Sequence, residues 1–273
     1  MQVRWLGWAG VELEQDGATL VIDPLADPAA TFAALGDRAR DVELPPVVPA
    51  TQARAVGGLV SHLHRDHTDA GALAAVLPNG GAVHHPVPAE ETNAALAQAE
   101  HELATAELPR RAVPAWDSVV VGPFTCTALP AVDGLGDPQV SWLVDAGGTR
   151  VMHLGDTLFH GGWWQMARRA GPFDVVFAPV NGAVVDFPHQ QPPSPLPATM
   201  DPEQAALAGE LLGAATVVPM HYGGFAFDPF YRPIADARER FERAARGRPY
   251  RAAPLAPGET LQPPRRGAVA STT

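Results

Sequence analysis

The chain has 273 residues, 46% of them hydrophobic and 18% charged, which suits a globular protein with a substantial core. Its formal charge is −11 and all 19 basic residues are arginine, which argues against a broad nucleic-acid surface, because phosphate binding needs clustered cations. The short pairs Arg110-Arg111 and Arg265-Arg266 do not change that; no apolar run reaches the ~20 residues needed to cross a bilayer, and the one cysteine, Cys126, can form no internal disulfide.

The chain enters an extended segment, Gln2-Val3-Arg4-Trp5-Leu6, at once, which leaves no room for a signal peptide and makes a cytoplasmic protein the expectation. Val11-Glu12-Leu13-Glu14 alternates apolar and polar side chains as a half-buried strand does. Asp16-Gly17 is a hairpin signal, and Thr19-Leu20-Val21-Ile22 is a buried strand stopped by Asp23-Pro24. A proline-rich crossing at 44–49 leads to a buried strand at 55–60, with the polar cluster 61–69 at its end. A helix over 70–77, a strand over 82–85 and a helix from about 89 to 108 come next. Strands follow at 118–121, 125–129, 140–144 and 150–153, then a tryptophan-rich helix after Gly162 and an apolar strand at 175–178. Residues 181–199 read as a long proline-bearing loop, the candidate substrate-facing flap. Asp201 caps the next helix, with Pro202 at its first position and Gln204 completing a capping box, and a core strand at 216–219 ends at His221. Interleaved strands and helices with many short turns predict a mixed sheet sandwiched by helices, one domain over 1–262 and a disordered tail over 263–273.

The densest chemistry lies in Ser61-His62-Leu63-His64-Arg65-Asp66-His67. In an extended segment, residues two apart point the same way, so His62 and His64 can grip one ion. The chain then turns and aims Asp66 and His67 at a neighbouring position. Crowding such groups at a strand end is costly unless a cation joins them. Asp156 and His221 also follow apolar strands, where a sheet converges ligands, although each alone would pass as a turn carboxylate or a capped strand end.

This arrangement resembles the metallo-β-lactamase superfamily, whose signature is His-x-His-x-Asp-His after a strand. The stretch from Trp5-Leu6-Gly7 to Ile22-Asp23-Pro24 is similar to the opening of the branch that includes ascorbate-6-phosphate lactonase-like proteins. Gly155-Asp156-Thr157 and Pro219-Met220-His221-Tyr222 resemble that branch's bridging-aspartate and final-ligand motifs. The resemblance implies a four-layer αββα fold of the α/β (α+β) class, with the site at one edge of the sandwich. It also implies two divalent ions, zinc first, with manganese or iron as alternatives. His62 and His64 would hold the first ion, Asp66, His67 and His221 the second, and Asp156 would bridge them, with Asp23 supporting the ligand loop.

Two positions depart from that pattern. Where the family supplies a third histidine to the first ion, this chain reads Leu129-Pro130-Ala131-Val132-Asp133-Gly134. Asp133 is the expected substitute; His84, His85, His160 or His189 reaching in, or a weakly held ion, are the alternatives. A third carboxylate beside Asp66 and Asp156 would weaken the first ion as a Lewis acid and suit harder ions such as manganese or iron. Trp8 stands where the branch often has histidine and is expected to wall the pocket. His160, in an aromatic stretch with Trp163 and Trp164, is the candidate donor to a leaving group, against the plainer reading of a helix packing its tryptophans on the core. His153 reads as a satisfied core or supporting histidine, His101 as a surface residue and Cys126 as a core thiol, while Tyr222 either reaches the site or packs.

The expected reaction is hydrolysis of a small-molecule ester, lactone or phosphoester. A water shared between two ions would be the nucleophile, oriented by Asp66. A nuclease of the same superfamily and a non-catalytic metal-binding module with a degraded site are the competing readings. The expected partner is a small-molecule substrate, with no nucleic acid and no membrane; a homo-oligomer is compatible with the sequence.

Overall fold

A computed structural model of the chain describes residues 1–32, 42–77, 80–88, 94–187 and 190–264. Sequence expectations for His189, for 89–93 and for 265–273 fall outside these residues. The first half lays down β1 (Gln2–Gly7), β2 (Gly10–Gln15), β3 (Ala18–Ile22), α1 (Pro28–Phe32), β4 (Ala55–Leu59), α2 (Ala70–Val76), β5 (Val83–His85), α3 (Ala94–Thr105) and β6 (Arg110–Ala112). The second adds β7 (Ser118–Val121), β8 (Phe124–Pro130), β9 (Val140–Ala146), β10 (Thr149–His153), α4 (Trp163–Ala170), β11 (Val175–Pro179), β12 (Val184–Val185), α5 (Pro202–Leu211), β13 (Thr216–Met220), β14 (Tyr231–Arg232), α6 (Ala237–Ala244), β15 (Arg251–Ala252) and β16 (Thr260–Leu261).

Two seven-stranded sheets result, ordered β16-β1-β2-β3-β4-β5-β6 and β15-β13-β11-β10-β9-β8-β7. Each is antiparallel at one end and parallel at the other, with β3, β4, β5 and β6 parallel in the first and β10, β11, β13 and β15 in the second. Side-chain alternation explains the layering. Leu20 and Ile22 of β3 face Val175 and Phe177 of β11 in the core between the sheets. Val21 turns outward to Leu73 of α2 and Leu103 of α3, while Val176 turns outward to Trp163 of α4, Ala205 of α5 and Phe241 of α6. Strands covered on both faces are apolar throughout, which is why their sequences read as continuous runs. The order of layers is therefore αββα.

Several elements lay beyond the sequence reading. Residues 181–199 are not wholly irregular, since β12 pairs antiparallel with β14. The two-residue strands β15 and β16, and α6, complete the second half; β16 pairs with β1. The capping box of Asp201 and Gln204 is present on α5 and accounts for where that helix starts. Among the described residues, no helix is long and apolar enough to cross a membrane.

The parallel strands place their C-terminal ends at one edge, where loops of an α/β sheet converge. Asp23 follows β3, Ser61 to His67 follow β4, Asp133 follows β8, Asp156 follows β10, Asn181 follows β11 and His221 follows β13. Gly155, at φ +63°, makes the turn that delivers Asp156; a Cβ there would lie 2.9 Å from that of Ser61.

Candidate metal centre

Asp66, His67, Asp156 and His221 each offer a ligand atom within 4.8 Å of the others. His67 Nε2 lies 3.2 Å from His221 Nε2 and 3.3 Å from Asp156 Oδ2, while His221 Nε2 lies 3.1 Å from Asp156 Oδ2 and 3.3 Å from Asp66 Oδ2. The far nitrogens of both rings are tied back. His67 Nδ1 lies 2.8 Å from Asp23 Oδ2, and His221 Nδ1 lies 2.9 Å from the Asn181 amide. Asp23 is fully buried and also accepts from the backbone N–H and hydroxyl of Ser61, so it braces the ligand loop at two points. Asn181 is held in turn by Thr199 and by Tyr231, whose hydroxyl is 2.6 Å from Asn181 Nδ2.

His62, His64 and Asp133 form a second set under the same distance limit. The rings of His62 and His64 meet edge to face with centroids 4.3 Å apart, and those of His62 and His67 are 4.1 Å apart. Asp133 Oδ2 accepts from the backbone N–H groups of Leu135 (2.8 Å) and Asp137 (3.1 Å), which orients the carboxylate from behind. Its turn is strapped from outside. Gln190 donates to the Leu135 carbonyl, and a Cβ at Gly134 would lie 2.1 Å from the Ala198 carbonyl oxygen, so only glycine permits the 181–199 segment to pass so closely.

Electrostatics follow this crowding. Burial alone would raise Asp66, yet the charge on His67 and the hydrogen bond and charge of His221 hold it well below the usual carboxylate range. Burial likewise opposes charge on His67, but Asp156, Asp66 and Asp23 outweigh it and hold the imidazole well above its ordinary value. His62 goes the other way, driven down by burial and then by the neighbouring histidines His67 and His64. Burial dominates at Asp133 and pushes it up.

Metal ions fit this donor set. His62 Nε2 and Asp156 Oδ1 are buried and have no hydrogen-bond partner among the described residues. Such atoms cost about 1–3 kcal/mol each when left unsatisfied, and two facing imidazole nitrogens add repulsion once neither carries a proton. A cation relieves every one of these penalties. Four imidazoles and three carboxylates are ligands that zinc, manganese and iron all accept.

Other residues named from sequence fall as follows. Trp8 is more than a wall, because its indole N–H donates to Asp66 Oδ2 at 2.9 Å and its ring lies 4.0 Å from that of His221. Trp8 and His221 both sit at positive φ and are joined by the His221 N–H to Trp8 carbonyl bond. His160 stacks on Trp163 with centroids 4.3 Å apart, and Trp163 is fully buried in the core while Trp164 is exposed. The His160 Nδ1 accepts from the Gly162 N–H at 3.0 Å, and its Nε2 is buried without a partner. His153 is buried and pairs with the Ala9 carbonyl, His84 and His85 lie in β5, His101 is exposed, and Tyr222 stacks on Trp5. Cys126 is a core thiol pushed up to about 12 by burial. Asp137, Asn181 and Tyr231 were missed; their segments carry no motif, and only the fold brings Asp137 behind His64 and Asn181, with Tyr231 on it, behind His221.

The β-lactamase superfamily domain model matches residues 18–222, a span that contains every ligand candidate above. A metal-dependent hydrolase of Thermococcus kodakarensis is 33% identical over 150 residues, 55% of this chain and 53% of that protein, so this match spans about half the relative's length. A metal-dependent hydrolase of Thermus thermophilus is 28% identical over 275 residues, 96% of this chain and 99% of that protein. The fold is shared with an isothiocyanate hydrolase from Delia radicum gut bacteria, at a TM-score of 0.68 and 19% identity over 96% of this chain and 99% of the other. With His62 to His67, Asp156 and His221 all inside the matched span, the chain belongs to the β-lactamase superfamily.

Proposed function

We propose that the protein is a metal-dependent hydrolase that holds two divalent ions and cleaves a small-molecule ester, lactone or phosphoester. His62, His64 and Asp133 would hold one ion (position one) and Asp66, His67 and His221 the other (position two), with Asp156 available to both. The observation that carries this reading is the pair of donor sets, with buried His62 Nε2 and Asp156 Oδ1 left without a hydrogen-bond partner among the described residues. The relatives named as metal-dependent hydrolases support the reaction class and leave the substrate open. Zinc is the first candidate, and the Asp133 carboxylate makes manganese or iron acceptable at position one.

When bound, divalent ions supply the Lewis acidity that brings the pKa of water towards neutrality and offsets charge developing on a carbonyl or phosphoryl oxygen. The side chains do the rest. Asp66 stays ionised and accepts a proton-bearing group, while the Trp8 N–H keeps its carboxylate in one orientation. Asp156 directs Oδ2 to His67 and His221 and leaves Oδ1 for the neighbouring position. Burial lowers the pKa of His160 and so favours its neutral form, and the Gly162 N–H on Nδ1 puts the ring proton on Nε2. It therefore offers a hydrogen bond to a leaving group rather than a full positive charge. Removing His160 lowers turnover more than metal content.

The test is metal analysis of the purified chain together with turnover of a lactone panel and a generic phosphodiester, before and after chelation. Two ions per chain with chelator-sensitive hydrolysis is the expected result. A chain that retains its ions but turns over none of the panel contradicts the hydrolase assignment.

A further inference from the structure

We infer that Asp137 is the positioning residue of His64, presenting that imidazole to position one through Nδ1. The inference rests on the two-ion reading above and adds a residue to it. In three of the four clustered histidines the nitrogen tied to a supporting side chain is Nδ1: His62 to Ser61 (3.0 Å), His67 to Asp23 (2.8 Å) and His221 to Asn181 (2.9 Å). His64 alone is turned over, with its Nε2 lying 2.8 Å from Asp137 Oδ2. The carboxylate accepts the Nε2–H, so the lone pair left for an ion is on Nδ1.

The turn from Asp133 to Asp137 therefore acts at two points. Asp133 supplies a carboxylate to the set with His62 and His64, and Asp137 supplies one behind His64. The arms are separable, because the support that Asp137 gives to Asp133 Oδ2 comes from its backbone N–H and survives substitution of the side chain. Both side chains of the His64–Asp137 pair are largely shielded, at 16% and 12% exposure, so solvent does little to loosen the contact.

The experiment titrates the full chain with cobalt(II) against a competing chelator and records imidazole nitrogen shifts of the zinc-loaded protein. Asp137→Ala should weaken position one by about 10–100-fold and leave position two unchanged. Asp137→Asn, which keeps the shape and one acceptor, should lose less, and Asp137→Glu should recover part of the loss. Wild-type His64 should carry its proton on Nε2. Unchanged affinity in both Asp137→Ala and Asp137→Asn, or a His64 that binds the ion through Nε2, overturns the inference. A wild-type chain that takes up only one ion instead overturns the two-ion reading. The melting temperature of the metal-free variants reports folding separately, and Asp137→Asn carries the test if the alanine variant does not fold.

Discussion

Position two and position one share a cluster but are anchored differently. At position two, His67 is braced by Asp23, His221 by Asn181 and Asp66 by Trp8, while Asp156 follows β10 and His221 follows β13. At position one, His62 is bridged to Gln139 and Asp133 to Thr157, and the Asp133 carboxylate is held by two backbone N–H groups of the turn that follows it. Buried side chains of distant elements therefore orient the groups at position two, whereas the Asp133 carboxylate is oriented by backbone N–H groups of its own turn. The first position is expected to be the more changeable in metal and in affinity.

The largest effect should come from Asp156, the residue proposed to serve both. Asp156→Ala removes the shared carboxylate and should lower turnover by about 1000-fold or more, the equivalent of several kcal/mol of lost electrostatic stabilisation. Metal analysis should show less than two ions per chain; two tightly bound ions would dissolve the comparison by making the bridge dispensable. Next, Asp133→Ala should weaken position one by at least about 100-fold, and Asp133→His should shift its preference from manganese or iron towards zinc. Full retention of two tightly bound ions in Asp133→Ala would remove Asp133 from the ligand set.

Trp8→Phe keeps the ring beside His221 and deletes only the N–H to Asp66. A hydrogen bond to a buried charge contributes about 1.5–3 kcal/mol, so thermal or denaturant unfolding of the metal-free variant should show a loss of that order. An unchanged midpoint would mean that Trp8 only walls the site. The smallest effect concerns pH. His67 keeps its proton well above the ordinary histidine range, so ion uptake at position two must expel it. Affinity should rise by up to about 10-fold per pH unit until that raised value is passed. The sign for the metal-free fold is opposite, because charged His67 stabilises it below the ordinary histidine pKa and that contribution is lost as pH rises through the raised value. Equilibrium dialysis at about pH 6 and about pH 8 should find tighter binding at the higher pH, and equal binding would contradict the assignment.

The same contrast explains what the sequence revealed. Ligands at strand ends were legible, since an apolar run followed by His62-Leu63-His64-Arg65-Asp66-His67, or by Gly155-Asp156, ties chemistry to local structure. The layer order came from the family resemblance; apolar runs such as Val175 to Ala178 by themselves predicted one mixed sheet between helices, and two sheets are present. Asp133 was legible only through an absence, the missing histidine in a segment of known place. Asp137, Asn181 and Tyr231 were not legible, because a lone polar residue in a loop or a two-residue strand becomes a brace only when long-range packing sets it behind another side chain. The strands β14, β15 and β16 are two residues each, too short to show alternation, and they exist through pairing with segments far away in the chain.

The most direct test is anomalous diffraction from crystals of the metal-loaded chain, collected at the zinc, iron and manganese edges. Two peaks are predicted, one bound by His62, His64 and Asp133 and the other by Asp66, His67 and His221, with Asp156 reaching both. A single peak, or two peaks with the Asp133 carboxylate turned away from either ion, would contradict the account.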